Sequence, residues 1–256
     1  MNPPAKLYKY RELNANSIHT IVCSAVWFAE PASLNDPFDC GLRPTSYELT
    51  EDEFRELFTR LAKRQRPPEK VAEEVERKIS EGMHLDKEKL EDTWVFTQRQ
   101  ENELTGLFCL CEDPANILMW SHYAGEHKGF CLEFSTDNIF FKSAKAVKYP
   151  SSYPKHRFVD CMNDLKLRHE LTIFTKANLW GYEQEWRMLE YNKNEKTSGY
   201  YKFEEKALTG IIFGWYMPPE HKDLLSRLVA GRNPSVQLYQ AHPWKQEFKM
   251  QIVPIS

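Results

Sequence analysis

The chain has 256 residues, of which 41% are hydrophobic and 28% are charged, as in an ordinary globular protein. Its formal net charge of -3 excludes a global attraction to nucleic acid and leaves only a local basic patch open. No stretch approaches the ~20 apolar residues of a membrane span, and residues 1–6 lack the apolar core of a secretory signal. These features predict a cytoplasmic protein.

Residues 1–40 predict a succession of short secondary-structure elements. Residues 6–12 alternate apolar and charged side chains, which predicts a first strand. Asn14 and its polar neighbours are expected to cap a short helix that ends near Cys23. A second strand is expected at residues 25–29. Residues 31–40 contain two prolines and three Asn or Asp residues, which predicts an ordered turn segment.

Residues 50–92 have few aromatic and many charged side chains. Thr50 and Glu53 have the spacing of a capping box at the start of a helix. Apolar residues follow at helical spacing, first Phe54, Leu57, Phe58 and Leu61, and then Val71, Val75 and Ile79 beyond a proline pair. Residues 87–92 are expected to add a third helix. We expect this region to be a helical insertion or lid within a single domain that spans residues 1–256.

The rest of the chain predicts short strands and helices without a regular βαβ period. Strands are expected at 106–111, 129–135, 145–149, 208–213, 236–240 and 248–253, and helices at 116–124, 157–178 and 218–230. This order favours an α+β fold, with a strand-rich central body of mixed or antiparallel sheet, short helices and the helical insertion.

The six cysteines are expected to be reduced and buried rather than to bind a metal. Cys109 and Cys111 are separated by a single residue, whereas zinc ligands are usually separated by roughly two to four. His122 and His127 follow, but no second ligand pair has zinc spacing. The sequence also lacks a phosphate-binding P-loop, a dinucleotide glycine fingerprint and a nucleophile elbow, which weighs against three large enzyme classes.

The most informative segment is WGYEQEWR at residues 180–187, where Glu183 and Glu185 lie two positions apart among aromatic residues. If the segment is a strand, both carboxylates lie on one face, where like charges can raise a pKa and mark a site. An edge strand with one solvated face explains the same pattern.

Three other polar clusters are candidates for a site. Arg11 on the first strand is able to bind a phosphate or carboxylate through two hydrogen bonds. An ordinary arginine on a surface strand explains the same sequence pattern. Asp36 and Asp39 lie on a stiff turn, where turn capping is the alternative explanation. His122, beside Tyr123, is a candidate acid, base or positioning donor, or an ordinary structural histidine.

These segments carry a family resemblance. LYKYR at 7–11, LNDPFD at 34–39, MWSHYA at 119–124, HKG at 127–129 and YEQEWR at 182–187 resemble, in the same order, a bacterial family catalogued as domain of unknown function 2971. The resemblance covers about residues 6–190. It implies a bacterial protein but no activity.

A weaker resemblance is to mono-ADP-ribosyltransferases, which have split, strand-rich α+β folds and use NAD as substrate. Arg11 matches their early-strand Arg or His, and Glu183 and Glu185 match their late-strand carboxylate pair. The chain departs from the pattern at Ala29, where a serine is favoured after the aromatic pair Trp27 and Phe28; Ser24 precedes that pair instead.

This resemblance implies roles for seven residues. Glu185 would stabilise an oxocarbenium-like ribose, Glu183 would orient or deprotonate the attacking group, and Arg11 would grip the diphosphate. The remaining implied roles are stacking on nicotinamide, by Tyr10 or Trp27, and positioning of ribose or acceptor, by His122 and Tyr123. The protein would then be a toxin or phage-defence effector that modifies a macromolecule of unidentified class.

Two alternatives stay open on the sequence alone. A metal-dependent nuclease or other hydrolase would use Asp36, Asp39, Glu183 and Glu185 around a divalent cation, with His122 or Lys128 assisting. In a non-catalytic binding module, the same polar clusters would have no catalytic role and would only stabilise an irregular fold. The sequence does not indicate an oligomeric state.

Overall fold

The computed structural model describes residues 2–63 and 67–255, and its fold is α+β, as predicted. The chain forms two compact units. The sheet unit comprises Met1–Ser33, Leu104–Val147 and Leu179–Ser256, and the helical unit comprises Leu34–Glu103 and Lys148–Asn178. No helix in the described ranges has both the length and the apolar character that a bilayer crossing needs.

The strands of the described residues are short and lie in the sheet unit. In chain order they are β1 (Lys6–Arg11), β2 (Ala25–Phe28), β3 (Thr105–Cys111), β4 (Phe130–Ser135), β5 (Lys145–Ala146), β6 (Glu185–Tyr191), β7 (Gly199–Lys202), β8 (Leu208–Phe213), β9 (Gln237–Pro243) and β10 (Met250–Pro254).

The helices are divided between the units. In chain order they are α1 (Ala15–Cys23), α2 (Glu51–Ala62), α3 (Pro68–Ser80), α4 (Lys87–Glu103), α5 (Ile117–Tyr123), α6 (Phe158–Asn163), α7 (Leu165–Thr172) and α8 (Pro219–Ala230). Helices α1, α5 and α8 belong to the sheet unit, and the other five belong to the helical unit.

Eight strands form one mixed sheet in the order β10-β9-β8-β4-β1-β3-β6-β5, as the predicted mixed or antiparallel body requires. Its neighbours are antiparallel except for the parallel pair β8 and β9. Strands β2 and β7 form a separate antiparallel pair. Strand β1 therefore lies inside the sheet, between β4 and β3.

The two faces of the large sheet are covered by different clusters of buried side chains. Phe130, Leu132 and Phe134 alternate along β4 and point into one cluster, as their period of two predicts. Cys111 and Cys131 point into the other cluster, beside the helix α5. The prediction of core cysteines is confirmed for these two; among the others, Cys40 and Cys161 are also buried, whereas Cys23 is exposed.

The helical unit begins with the predicted capping box. Thr50 Oγ1 accepts a hydrogen bond from the Glu53 backbone N–H at 3.2 Å, and the Glu53 carboxylate accepts one from the Thr50 N–H at 2.8 Å. Phe54 and Phe58 stack with ring centroids 4.0 Å apart, and Trp94 of α4 belongs to the same buried cluster. Burial of this aromatic stripe is the main force that holds α2 against its neighbours.

The structure corrects three predicted boundaries. The third helix extends to Glu103 rather than ending near residue 92. The helix predicted over residues 157–178 is two short helices, because Asp164 ends α6 and its side chain caps the start of α7. The strand predicted at 145–149 is reduced to two residues. The assignment of 1–256 to a single domain, and of 50–92 to an insertion or lid, stays a prediction.

Candidate functional site

The large sheet opens beside the C-terminal end of β1. In the described residues, β1 and β3 are paired at Tyr8 and Cys111. Toward the other end of β3, Leu107 instead exchanges two backbone hydrogen bonds of 2.8 Å with Ala29, which follows β2. At Leu107, β3 therefore pairs with Ala29 and not with β1. Beside Lys9 and Arg11, the hydrogen-bonded ladder between β1 and β3 is interrupted.

Two cations lie at this opening. Lys9 and Arg11 are two positions apart on β1, so their side chains leave the same face of the strand, and both are half-buried. Neither side chain forms a hydrogen bond or an ion pair with any residue that the structure describes; the Lys9 ammonium lies 5.1 Å from the centroid of the Phe108 ring. Such a contact with a ring supplies only part of the stabilisation that water gives an ammonium.

Burial lowers the pKa of both cations. Burial and, to a smaller extent, the neighbouring charge of Arg11 lower the pKa of Lys9 to about 8, whereas Cys109 and Glu185 act in the opposite direction. Burial also lowers the pKa of Arg11, against the opposing effects of Cys109 and Tyr200. Of the two cations, Lys9 is the one whose pKa is affected by the charge of Glu185. Two desolvated like charges whose side chains have no hydrogen-bonded or ion-paired partner in the described residues favour the binding of an anion.

The backbone near Arg11 depends on a glycine. A Cβ atom at Gly129 would lie 2.2 Å from the carbonyl oxygen of Arg11 and 2.8 Å from that of Ala124. Because these are backbone atoms, no side-chain movement relieves the contact. Gly129 therefore allows the turn after α5 to pass close to the end of β1.

The predicted placement of Glu183 and Glu185 on one strand face is wrong. Glu183 ends the 3-10 helix Asn178–Glu183, and Glu185 is the first residue of β6. Between them, Gln184 has a φ of 45°, in the left-handed region, so the chain turns instead of continuing as a strand. The two carboxylates therefore have different environments.

The Glu185 carboxylate forms a buried ion pair with Arg187. Arg187 Nε and Nη2 each donate to a different carboxylate oxygen at 2.8 Å, a bidentate geometry that holds the carboxylate in one orientation. Opposite Arg187 in the sheet lies Cys109. Burial first, and then the charge of Glu185, raises the pKa of the Cys109 thiol to about 12, so this cysteine is a neutral neighbour.

Glu183 is buried and accepts a hydrogen bond of 2.6 Å from the Tyr123 hydroxyl. A second link joins the same segments, since the Asn116 side-chain amide donates to the Tyr182 carbonyl at 2.9 Å. These bonds attach α5 to the segment that carries Glu183. His122, the next residue on α5, is exposed, and its ring lies 6.3 Å from that of Tyr182.

Of the two predicted stacking residues, the structure exposes only one. Tyr10 is buried, with its ring edge-on to Trp120 at 5.0 Å and its hydroxyl donating to the Asp113 carbonyl at 2.7 Å. Its ring is already covered, which contradicts a stacking role. Trp27 is 42% exposed and packs edge-on against Tyr200 at 5.0 Å. The His19 ring also contacts Tyr200, with the two ring centroids 4.0 Å apart.

The carboxylates that the metal hypothesis requires do not form a metal site in the described residues, which contain no group of three or more His, Cys, Asp and Glu side chains placed to hold an ion. Asp36 and Asp39 belong to the helical unit. Lys128 is paired with Glu126 at 2.9 Å. Both oxygens of Glu185 already contact Arg187, which leaves a poor ligand for a hard cation.

Three residues of the site were not singled out from the sequence, namely Lys9, Arg187 and Tyr200, and Cys109 was considered only as a buried or zinc-binding cysteine. The spacing of Lys9 and Arg11 was a usable signal, because two cations at positions i and i+2 of an interior strand share a face. Arg187 likewise follows Glu185 at the spacing of a same-face pair. Tyr200 had no such signal, since its neighbourhood with Trp27 depends on the pairing of β2 with β7.

The comparisons with known proteins concern the middle of the chain. A family model described as "Protein of unknown function (DUF2971)" matches residues 119–188. No curated protein and no solved structure matches the chain. The matched range contains His122, Tyr123, Glu183, Glu185 and Arg187, so the similarity to this family of unknown function includes much of the candidate site.

Proposed function

We propose that the sheet unit binds NAD and transfers its ADP-ribosyl group to a macromolecule. The observation that carries the proposal is the pair of half-buried cations, Lys9 and Arg11, whose side chains have no hydrogen-bonded or ion-paired partner in the described residues. The diphosphate of NAD carries two negative charges at a spacing that adjacent cations are suited to bind. Binding would offset both the desolvation of the two cations and their mutual repulsion.

Glu185 is the proposed stabiliser of the transition state. Arg187 holds this carboxylate in one orientation, in which we propose that it accepts a hydrogen bond from a ribose hydroxyl. A fixed negative charge stabilises an oxocarbenium-like ribose best where water is scarce, and Glu185 is buried. Arg187 acts as a positioning residue.

The proposed reaction is a substitution at the nicotinamide ribose. The glycosidic C–N bond breaks, its electron pair leaves with neutral nicotinamide, and a nucleophile of the acceptor forms the new bond to the same carbon. The proton of the nucleophile passes to the Glu183 carboxylate, whose hydrogen bond from Tyr123 holds it in place. With water as the nucleophile, the same steps give ADP-ribose.

The aromatic contacts of the proposal differ from those that the sequence indicated. Trp27 and Tyr200 replace Tyr10 as the surface for a planar ring, because both are 42% exposed. The exposed His122 is assigned to positioning the acceptor. The resemblance to mono-ADP-ribosyltransferases supports a cytoplasmic toxin or phage-defence effector as the proposed cellular role.

The test is incubation of the full chain with NAD labelled in the adenylate, in water alone and with protein, RNA or DNA acceptors. Nicotinamide release and transfer of label are both measured. Glu185→Gln should lose about two to three orders of magnitude of nicotinamide release. Arg11→Met should weaken NAD binding, which is measured separately as a ligand-induced rise in unfolding temperature.

Glu190→Gln is the matched control, because Glu190 lies on the same strand but is exposed. It should leave both measurements unchanged. If wild type does not bind NAD, or if Glu185→Gln releases nicotinamide as fast as wild type, the proposal is wrong. The metal-dependent hydrolase receives no comparable support, since the engagement of Glu185 by Arg187 weighs against it.

A further inference from the structure

The helical unit contains a cavity of about 290 Å³, and all the residues that line it belong to that unit. This volume is near the lower limit of about 300 Å³ for small-molecule sites, which suits a single side chain or a small organic ligand. Three segments line the cavity, namely the turn that contains Asp36 and Asp39, the loop at 150–154, and residues 175–178.

Hydrogen bonds hold the three walls in place. The Lys148 N–H donates to the Phe174 carbonyl at 2.8 Å, and the Lys176 N–H donates to the Lys148 carbonyl at 3.0 Å, which ties the second wall to the third. The Arg43 N–H donates to the Tyr153 hydroxyl at 2.6 Å, which ties the loop to the segment after the turn. These hydrogen bonds fix the positions of the cavity walls relative to one another.

Three buried charged residues line this cavity, and their sum is negative. Asp36, Asp39 and Lys176 are each more than nine-tenths buried. The Lys176 ammonium lies 3.5 Å from an Asp39 carboxylate oxygen, so this pair is close to neutral. The Asp36 carboxylate accepts one hydrogen bond of 2.9 Å, from the Phe38 N–H to Oδ1, and its Oδ2 has no hydrogen bond within residues 2–63 and 67–255.

The remaining lining is mostly apolar and aromatic. Leu42, Pro150, Pro154 and Ala177 contribute to the walls. Phe38 is 69% exposed and Tyr153 is also exposed, so their rings are accessible at the cavity. An exposed aromatic ring beside a buried carboxylate favours a cation with a flat, weakly hydrated surface.

We propose that this cavity binds a guanidinium group carried on a short apolar stem. The guanidinium would donate to Asp36 Oδ2, its plane would pack on the rings of Phe38 or Tyr153, and the stem would contact the apolar walls. A small metabolite and an arginine side chain of a peptide share this chemistry. The proposal does not depend on the NAD site, because it concerns different residues in a different unit.

The test is isothermal titration of the full chain with n-butylguanidinium, with the neutral isostere n-butylurea, and with the anion valerate. Butylguanidinium should bind at least about tenfold more tightly than either comparison ligand, since only it supplies both charge and donors. Butylguanidinium binding that is undetectable, or that is no tighter than binding of valerate, would overturn the proposal.

Two variants locate the binding. Asp36→Asn retains an acceptor for the Phe38 N–H but removes the charge, and it should weaken butylguanidinium binding at least about tenfold. Phe38→Ala changes an exposed residue, so folding is expected to be unaffected and binding is still measurable if Asp36→Asn misfolds. It should also weaken binding. Leu85→Ala, an exposed control in the same unit, should leave butylguanidinium binding unchanged. If both Asp36→Asn and Phe38→Ala also bind butylguanidinium as wild type does, the ligand binds elsewhere and the proposed site is refuted.

A second titration distinguishes the two possible sources of the guanidinium group, a small metabolite and an arginine side chain of a peptide. A short peptide with a central arginine is compared with the same peptide carrying citrulline, and with free butylguanidinium. Tighter binding of the arginine peptide than of free butylguanidinium assigns the cavity to a protein partner. Binding of free butylguanidinium with exclusion of the peptide assigns it to a small metabolite. Equal binding of the arginine and citrulline peptides would contradict the recognition of charge on which the proposal rests.

Discussion

Replacing Lys9 by Met should make the protein more stable. The change keeps an unbranched apolar stem and removes only the ammonium, which is half-buried and without an ion-pair partner in the described residues. A residue that destabilises the native state is expected where a charge is retained for binding rather than for folding. The experiment therefore tests the physical basis of the proposed anion site without requiring its ligand.

The magnitude follows from the pKa of Lys9, which burial lowers from 10.5 to about 8. Each pKa unit corresponds to about 1.4 kcal/mol, so the charged ammonium costs the native state about 3 kcal/mol at pH 7. Lys9→Met removes this cost but also loses the contact with the Phe108 ring, which offsets about 0.5 kcal/mol of the stability gained. Lys9→Met should raise the free energy of unfolding by about 2 to 3 kcal/mol at pH 7.

The pH dependence has a definite sign. Between pH 8 and 10.5 the unfolded state holds a proton on Lys9 that the native state has released, so wild type gains stability as pH rises through this window. The advantage of Lys9→Met should therefore fall to about 1 kcal/mol at pH 10. Urea unfolding of both proteins at pH 7 and pH 10 measures this difference.

Lys6→Met is the control on the same strand. Lys6 pairs with Glu133 at 2.8 Å, and the hydrogen bond from Lys6 to Glu133 raises its pKa. Lys6 thus contributes stability below its unfolded-state pKa and loses it as pH rises through the higher folded-state pKa. Lys6→Met should destabilise the protein at pH 7. If Lys9→Met is also destabilising, or if its effect is the same at pH 7 and pH 10, the reasoning about a desolvated unpaired cation is refuted.

Three further substitutions test how the site and the helical unit are held. Arg187→Met leaves the Glu185 carboxylate buried without its bidentate partner and should cost about 3–5 kcal/mol in urea unfolding, much of which Glu185→Leu should restore in the double variant; no restoration would show that the pair is not the cause. Gly129→Ala places a Cβ atom 2.2 Å from the Arg11 carbonyl oxygen and should lower the free energy of unfolding by about 2–3 kcal/mol. Gly82→Ala is the control, because a Cβ atom there meets no neighbour; its φ of 73° alone should cost about 1 kcal/mol. Thr50→Ala removes the cap of α2 and should cost about 1 kcal/mol, while Thr50→Asn should be close to wild type in thermal unfolding; equal losses in both variants would argue against capping.

Local patterns predicted much of the secondary structure. The alternation along β1 and β4 predicted strands because side chains of a strand alternate between two faces. The Thr50 and Glu53 pair predicted the start of α2 because a capping box satisfies backbone donors within four residues. These features depend on neighbours in sequence, so a single sequence was sufficient.

The candidate site was only partly predictable. Arg11, Glu183 and Glu185 were found from their residue types and spacing, but the turn at Gln184 separates the two carboxylates, and no residue preference marks a glutamine for a left-handed φ. The ring of Tyr10 was predicted to be available, whereas Trp120, more than a hundred residues away, covers it. These outcomes depend on packing between distant segments.

The sequence by itself determined the α+β class, the helix and strand types and most of the residues with chemical potential, because propensity, capping and periodicity act over a few residues. Only the tertiary structure decided which charges are paired. It joined Glu185 to Arg187, Glu183 to Tyr123 and Asp39 to Lys176, and within the described residues it left the side chains of Lys9 and Arg11 without an ion pair. The physical reason is that desolvation and ion pairing depend on burial and on distances between elements, which strand order and long-range packing set.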